Sequence, residues 1–283
     1  MQIIDSKKAL SIALKNRVNI GFVPTMGNLH AGHIHLVQLA KQHADCVVVS
    51  IFVNPLQFGA NEDLANYPRT LEADFEKLSA AGADFVFTPS VAELYPNYDG
   101  KNLNQTMTIA LPAIADMLCG ASRPGHFAGV ATVVAKLFNL IQPQIAVFGQ
   151  KDFQQLFVIR ELVNQFNYPV EIIAGETVRE ASGLALSSRN GYLSETARAS
   201  ANQLNQALQG IVASLKNGNT NFNQLENLAV QQLTNFGWLV DYISVRSADT
   251  LLPATTDDKN LVVLGAAKLD KTRLIDNIAF CAK

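Results

Sequence analysis

Short apolar runs alternate with helix-length amphipathic stretches through residues 18–174, and that alternation admits few folds. Residues 18–23 form an apolar run closed by Pro24, and 33–43 then carry a helical pattern in which His35 and His43 are ordinary helix residues. Residues 46–53 are nearly all apolar or β-branched, as expected of a strand covered on both faces. A loop rich in Pro, Gly and Asn follows at 54–68. Thr70 can cap a helix whose Leu71, Phe75 and Leu78 share one face, and Gly82 ends it. Residues 84–87 read as a strand stopped by Pro89. A helix at 127–141 has an apolar side of Val130, Val133, Val134, Leu137 and Phe138, with Pro143 beyond it. Strand 145–148, helix 152–166 and strand 170–174 repeat the pattern. Repeated strand–helix–strand units imply a parallel sheet with helices on both faces. Ligands of such sheets lie beyond the carboxyl ends of the strands. The loops 24–32, 54–68 and 149–152 are therefore expected to line one crevice.

The texture changes after about residue 178. Polar-rich helices at 194–215 and 222–236 precede strand candidates at 238–245, 260–264 and 273–280. The expected architecture is α/β, with a doubly wound parallel-sheet domain at 1–178 and a smaller C-terminal α+β domain at 179–283.

Composition narrows the function. Lys plus Arg is 22 and Asp plus Glu is 24, a formal charge of -2, which argues against a nucleic-acid partner held by bulk electrostatics. Cys46, Cys119 and Cys281 have neither metal nor disulfide spacing. Early charges at Asp5, Lys7 and Lys8 argue against a signal peptide, and the most apolar run is far short of a membrane span. A reduced, soluble, cytoplasmic protein is expected.

Four strings carry chemistry. In Met26-Gly-Asn-Leu-His-Ala-Gly-His33, His30 and His33 flank Gly32 at a strand-to-helix junction, where helix-start N–H groups and two imidazoles can face a phosphate. The plainer reading is a turn with capping histidines. In Phe148-Gly-Gln-Lys151-Asp152, Lys151 offers a point charge or stands as a solvated lysine. Asp152 can be a helix cap, with Gln155 completing a capping box. Ser187, Ser188 and Arg189 form either a phosphate clamp or an ordinary loop. Arg123-Pro-Gly-His126-Phe-Ala-Gly129 is a marked turn before a helix.

Taken together with Ser50-Ile-Phe-Val-Asn-Pro-Leu-Gln-Phe-Gly59, Tyr67-Pro-Arg-Thr70 and Leu186-Ser-Ser-Arg-Asn190, these strings resemble those of the pantothenate synthetases, the pantoate–β-alanine ligases. The resemblance runs in order through the first 190 residues, and the last third matches only in length and character.

That resemblance implies ATP-dependent joining of pantoate to β-alanine through an enzyme-bound pantoyl adenylate, releasing AMP and diphosphate. It implies a nucleotidyltransferase-type Rossmann domain whose His-x-Gly-His loop holds ATP. The residues expected on ATP are Met26, Gly27, Asn28, Leu29, His30, Ala31, Gly32, His33, Gly149, Gln150, Lys151, Asp152, Val178, Leu186, Ser187, Ser188 and Arg189. Catalytic roles fall to His30, His33, Lys151, Arg189, Ser187 and Ser188, with His33 as proton donor. Gln57 and Gln155 are expected on pantoate, Gln57 also near β-alanine. Mg²⁺ is expected with ATP, and Asp74 is either a ligand to it or a helix-surface carboxylate. The C-terminal domain is expected to act as a lid, and the chain to form a homodimer. The alternatives are another adenylyl-transferring enzyme of the nucleotidyltransferase group and a nucleotide-binding module without turnover.

Overall fold

The computed structural model describes residues 1–59, 62, 64–65 and 67–282, so residues 60, 61, 63 and 66 of the loop read at 54–68 lie outside the described residues. Two compact units emerge, Met1–Gln150 with Gln155–Glu176, and Lys151–Gln154 with Thr177–Lys283. Assigning the short segment 151–154 to the second unit is something a single cut in the sequence cannot express.

In chain order the elements up to residue 175 are β1 (Gln2–Ile4), α1 (Lys7–Leu14), β2 (Ile20–Thr25), α2 (Ala31–His43), β3 (Cys46–Ile51), α3 (Leu71–Ala80) and β4 (Phe85–Phe87). Then come single turns α4 (Val91–Leu94) and α5 (Cys119–Ser122), α6 (His126–Ile141), β5 (Ile145–Gly149), α7 (Phe153–Gln165) and β6 (Glu171–Gly175). The strands form one sheet in the order β1-β4-β3-β2-β5-β6, and every pairing is parallel. Every residue of β3 is buried, Ser50 included, as its nearly continuous apolar run requires. Side chains of alternate parity face opposite helix layers. Val23, Val47, Val49 and Val86 pack with Leu36, Val37 and Ala40 of α2 and Leu78 of α3. On the other side Phe22 meets Phe138 of α6 edge to face, with centroids 6.3 Å apart.

Three local expectations are corrected. Pro24 does not close its strand: β2 continues to Thr25, pairing Pro24 with Ser50 and Thr25 with Ile51. Only Gly21 and Phe22 pair with β5, so the proline sits where that second ladder has already ended. Leu71 is 38% exposed and stands off the packed face of α3. Thr70 makes no side-chain cap, its hydroxyl donating to Asp74 Oδ2 at 3.1 Å instead.

The strand order reverses direction between β2 and β5, which makes their carboxyl ends the topological switch point of the sheet. Segment 26–30 leaves the end of β2, and the turn Gln150–Asp152 leaves the end of β5.

The second unit contains α8 (Glu195–Ser200), α9 (Gln203–Lys216), α10 (Phe222–Asn235), β7 (Leu239–Ser247), β8 (Asn260–Leu269) and β9 (Thr272–Cys281). The three strands form an antiparallel meander in chain order. Its core joins Leu204, Leu208 and Ile211 of α9 to Leu225 and Leu233 of α10 and to Ile243, Val263 and Leu274 of the sheet. The single helix expected at 194–215 is two helices. Ser200 Oγ bonds back to the carbonyls of Thr196 and Ala197, which bends a helix, and Asn202 Nδ2 donates to Ser182 O at 3.1 Å. Strand β8 outruns its expected end because Gly265-Ala266-Ala267 has little β-propensity of its own, yet both alanines are fully buried in the sheet.

Candidate active site

The segment after β2 is shaped by backbone conformations that few residues accept. Gly27 has φ +84° and Asn28 φ +50°, two successive residues in the left-handed region. A Cβ on Gly27 would also stand 3.1 Å from Ile51 Cγ2 and 3.2 Å from Asp74 Oδ2. Leu29 then plugs into the core at 2% exposure, and His30 opens α2 as its N-cap.

The two histidines cap the helix reciprocally. His30 Nδ1 accepts from Gly32 N at 3.1 Å, and His33 Nδ1 accepts from His30 N at 3.3 Å. Their rings lie 4.1 Å apart, tilted by 43°. A neutral imidazole that accepts at Nδ1 carries its proton at Nε2. The capping and the ligand-binding readings of these residues are therefore compatible: the cap fixes the tautomer that makes each Nε2 a donor. Gly32 N and His33 N are engaged by His30, through Nδ1 and the carbonyl respectively.

Asp74 was expected as a metal ligand or a solvated carboxylate. It is fully buried, its Oδ2 accepting from Asn28 N and its Oδ1 from Leu29 N, both at 2.8 Å. The backbone of Asn28 and Leu29 thus faces an internal anion.

Gln57 sits in the short 3-10 turn Pro55–Gln57, 8% exposed, and is held from several sides. Asn54 Nδ2 donates to Gln57 Oε1 at 3.0 Å and to Gly129 O at 3.2 Å, while Gln57 Nε2 meets Met26 Sδ at 3.3 Å. The Tyr95 hydroxyl donates to Asn54 Oδ1 at 2.5 Å, and burial pushes that phenol far up from its ordinary range, keeping it a donor. Arg123 pairs with Glu62 at 2.6 and 2.8 Å and donates through Nη1 to His126 Nε2 at 2.9 Å. A guanidinium has no acceptor, so His126 accepts at Nε2 and donates from Nδ1 to Gln57 O, 2.9 Å away. Asn54, Tyr95 and Glu62 were not singled out in the sequence. Arg123 and His126 were read only as a turn, although their string and that of Gln57 are the two that meet. Gly129 permits this approach, since a Cβ there would lie 2.5 Å from Leu56 O.

Gly149 ends β5 and Gln150 begins the turn after it, both in the first unit, and Gln155 stands partly buried near the start of α7. The other named residues belong to the second unit. Lys151 Nζ is 4.0 Å from Asp152 Oδ2, and Lys151 O accepts from Asn277 Nδ2 at 2.8 Å. Val178 O accepts from Leu186 N across a small hairpin whose Arg179 and Ala185 form an antiparallel bridge. Arg179 holds Asp276 bidentately at 2.6 and 2.8 Å and also reaches Gly183 O. Ser187 caps the 3-10 helix Ser188–Tyr192 by accepting from Arg189 N at 3.2 Å, which places Ser188 and Arg189 in its first turn. Among the described residues no group of three or more His, Cys, Asp or Glu is arranged to hold a metal.

Comparison with known proteins gives a consistent result. The family profile described as pantoate-beta-alanine ligase matches residues 2–279. Pantothenate synthetase of Methylobacillus flagellatus is 63% identical over 280 residues, 99% of each chain. That of Thiobacillus denitrificans is 56% identical over 279 residues, 98% of this chain and 96% of the relative. A crystal structure of pantothenate synthetase from Thermus thermophilus superposes with TM-score 0.92 at 41% identity, covering 98% of this chain and 99% of the other. Pantoate-beta-alanine ligase from Francisella tularensis, solved with an ATP species and β-alanine, gives TM-score 0.80 at 35% identity, covering 98% and 97%.

Proposed function

We infer from its membership of the pantoate–β-alanine ligase family, to which this chain belongs, that it condenses pantoate with β-alanine at the expense of ATP. The observation that carries the chemistry is the reciprocal cap of His30 and His33, which leaves each neutral ring with its proton at Nε2, beside the switch point of the sheet. A carboxylate attacking an α-phosphate brings anions together, so the site must first cancel repulsion and align the reactants. We assign that work to His30, His33, Lys151, Ser187, Ser188 and Arg189. A pantoate carboxylate oxygen bonds to the α-phosphorus as the bond to diphosphate breaks, giving a pantoyl adenylate. His33 Nε2–H donates to the oxygen that gains charge. The neutral amine of β-alanine then attacks the acyl carbon, the acyl–oxygen bond to AMP breaks, and the surplus amine proton is lost to the departing AMP or to water.

Gln57 and Gln155 suit a hydroxy acid because each amide offers donor and acceptor. The Asn54 bond to Gln57 Oε1 fixes which end of that amide is the donor. ATP is a substrate and enters as its Mg²⁺ complex, the metal held largely by phosphate and water oxygens. Met26 to His33, Gly149 to Asp152, Val178 and Leu186 to Arg189 are the proposed nucleotide contacts. The family resemblance supports a cytoplasmic homodimer, and among the described residues no helix is long and apolar enough to cross a membrane.

The test is diphosphate–ATP exchange with pantoate present and β-alanine absent. Pantoate-dependent exchange is the expected result and establishes the adenylate half-reaction. No exchange, together with no AMP formed when both substrates are supplied, overturns the ligase reading. An adenylyl group retained in the product would favour another transferase of the group.

A further inference from the structure

We propose that Asp74 is a positioning residue for the nucleotide step: an internal carboxylate, gripping the backbone of Asn28 and Leu29, sets where the His30 and His33 rings stand. The inference rests on the reading above that segment 26–33 receives the ATP phosphates.

Both oxygens of Asp74 are used by the loop, Oδ2 by Asn28 N and Oδ1 by Leu29 N at 2.8 Å each. Consecutive amides converging on one carboxylate form the arrangement a loop otherwise offers to a bound phosphate. Here the protein fills it with its own anion. The grip has two further members on the same helix face. Thr70, four residues earlier, donates its hydroxyl to Oδ2 at 3.1 Å, and Lys77, three residues later, donates Nζ to Leu29 O at 2.7 Å. Both the amide and the carbonyl of Leu29 are therefore held from α3. Gly27 completes the fit, since any Cβ there would crowd Asp74 Oδ2 at 3.2 Å.

The loop enters α2 one residue after Leu29, where His30 begins the reciprocal cap. A shift of the two clamped peptides moves both rings together, and misplacing a reacting group by about 1 Å costs roughly 100-fold in rate. An acidic side chain near a triphosphate is electrostatically unfavourable unless its charge is satisfied. Two amides and a hydroxyl satisfy it. The same bonds distinguish this role from metal binding.

The experiment is diphosphate–ATP exchange on the full chain carrying Asp74→Asn, with thermal melting in parallel. The amide keeps the shape of the carboxylate but turns an NH₂ toward one of the two backbone N–H groups. Expected are a rise of about tenfold or more in KM for ATP and a fall of about 10- to 100-fold in kcat, with KM for pantoate within about twofold. An unchanged or lower KM for ATP overturns the proposal, since a mere neighbouring negative charge would bind ATP more tightly once neutralised. Recovery of the variant by raised Mg²⁺ also overturns it, because that is the signature of a lost metal ligand. Thr70→Val and Lys77→Met remove one support each and cover the case that Asp74→Asn fails to fold. Each is expected to raise KM for ATP by about threefold to tenfold, and wild-type values in both would overturn the proposal. Glu72→Gln, exposed on the same helix, is expected to match the parent. Absence of exchange in the parent protein would instead overturn the functional reading.

Discussion

The two ends of the His33 ring have separable duties. Nδ1 closes the cap by accepting from His30 N, and Nε2 carries the proton assigned to the departing diphosphate. Asn can imitate the δ position and Gln the ε position, so two substitutions divide the residue. His33→Asn is expected to keep the melting temperature while lowering the exchange rate by about 10²–10³, the range for losing one preorganised donor. His33→Gln is expected to retain more activity than His33→Asn, and its amide oxygen can still accept from His30 N, as glutamine does at the third position of a capping box. The reverse ordering would mean that the cap, not the ε proton, sets the rate. That His30 and His33 come together was legible in their spacing, because sequence-adjacent groups need only a turn to meet. Asp74 was not legible. In Leu71-Glu-Ala-Asp74-Phe-Glu-Lys77 it reads as one more charge on a polar helix, and its burial comes from a loop 46 residues away. Periodicity reports which side of a helix is apolar, not what a distant loop will lay over it.

At the scale of elements, the parallel sheet was readable because strands buried on both faces are written as near-continuous apolar runs, β3 being the clearest. The edge strand β1 was missed. It has three residues, one of them Ile3 at 50% exposure, and it is a strand only because β4 pairs with it. The contact between α6 and the 55–57 turn was equally hidden, since it depends on a missing side chain. Ordinarily Ala in place of Gly steadies a helix interior by about 0.5–1 kcal/mol. At Gly129 the new Cβ would stand 2.5 Å from Leu56 O and 2.7 Å from Gln57 Cα, both backbone atoms that cannot turn aside. Overpacking of that kind costs about 1–3 kcal/mol. Gly129→Ala is therefore expected to lower the melting temperature and to raise KM for pantoate more than KM for ATP, because the displaced element carries Gln57. A variant that melts higher than the parent would show that the turn yields freely.

For the molecule as a whole, the deciding fact is that each unit owns a core. In the first, Val23, Val47, Val49 and Val86 pack against α2 and α3; in the second, Leu204, Leu208 and Leu233 pack against the antiparallel sheet. The change of texture near residue 178 reflected this, because a buried parallel sheet and a meander covered by amphipathic helices spend their apolar residues differently. The second core also contains the chain's single tryptophan, Trp238, 3% exposed and donating from Nε1 to Gln203 Oε1 at 2.9 Å. Tryptophan fluorescence consequently reports the second unit alone, whereas far-ultraviolet dichroism weighs every element in both. Leu208 has no exposed surface, and truncating such a leucine to Ala costs about 2–5 kcal/mol. Leu208→Ala should therefore bring the fluorescence midpoint in urea below the dichroism midpoint, while Leu78→Ala in the first core should lower the dichroism midpoint more than the fluorescence one. If both variants instead kept the two signals superimposed, the cores would be unfolding as one cooperative body, and the division would describe packing without describing stability.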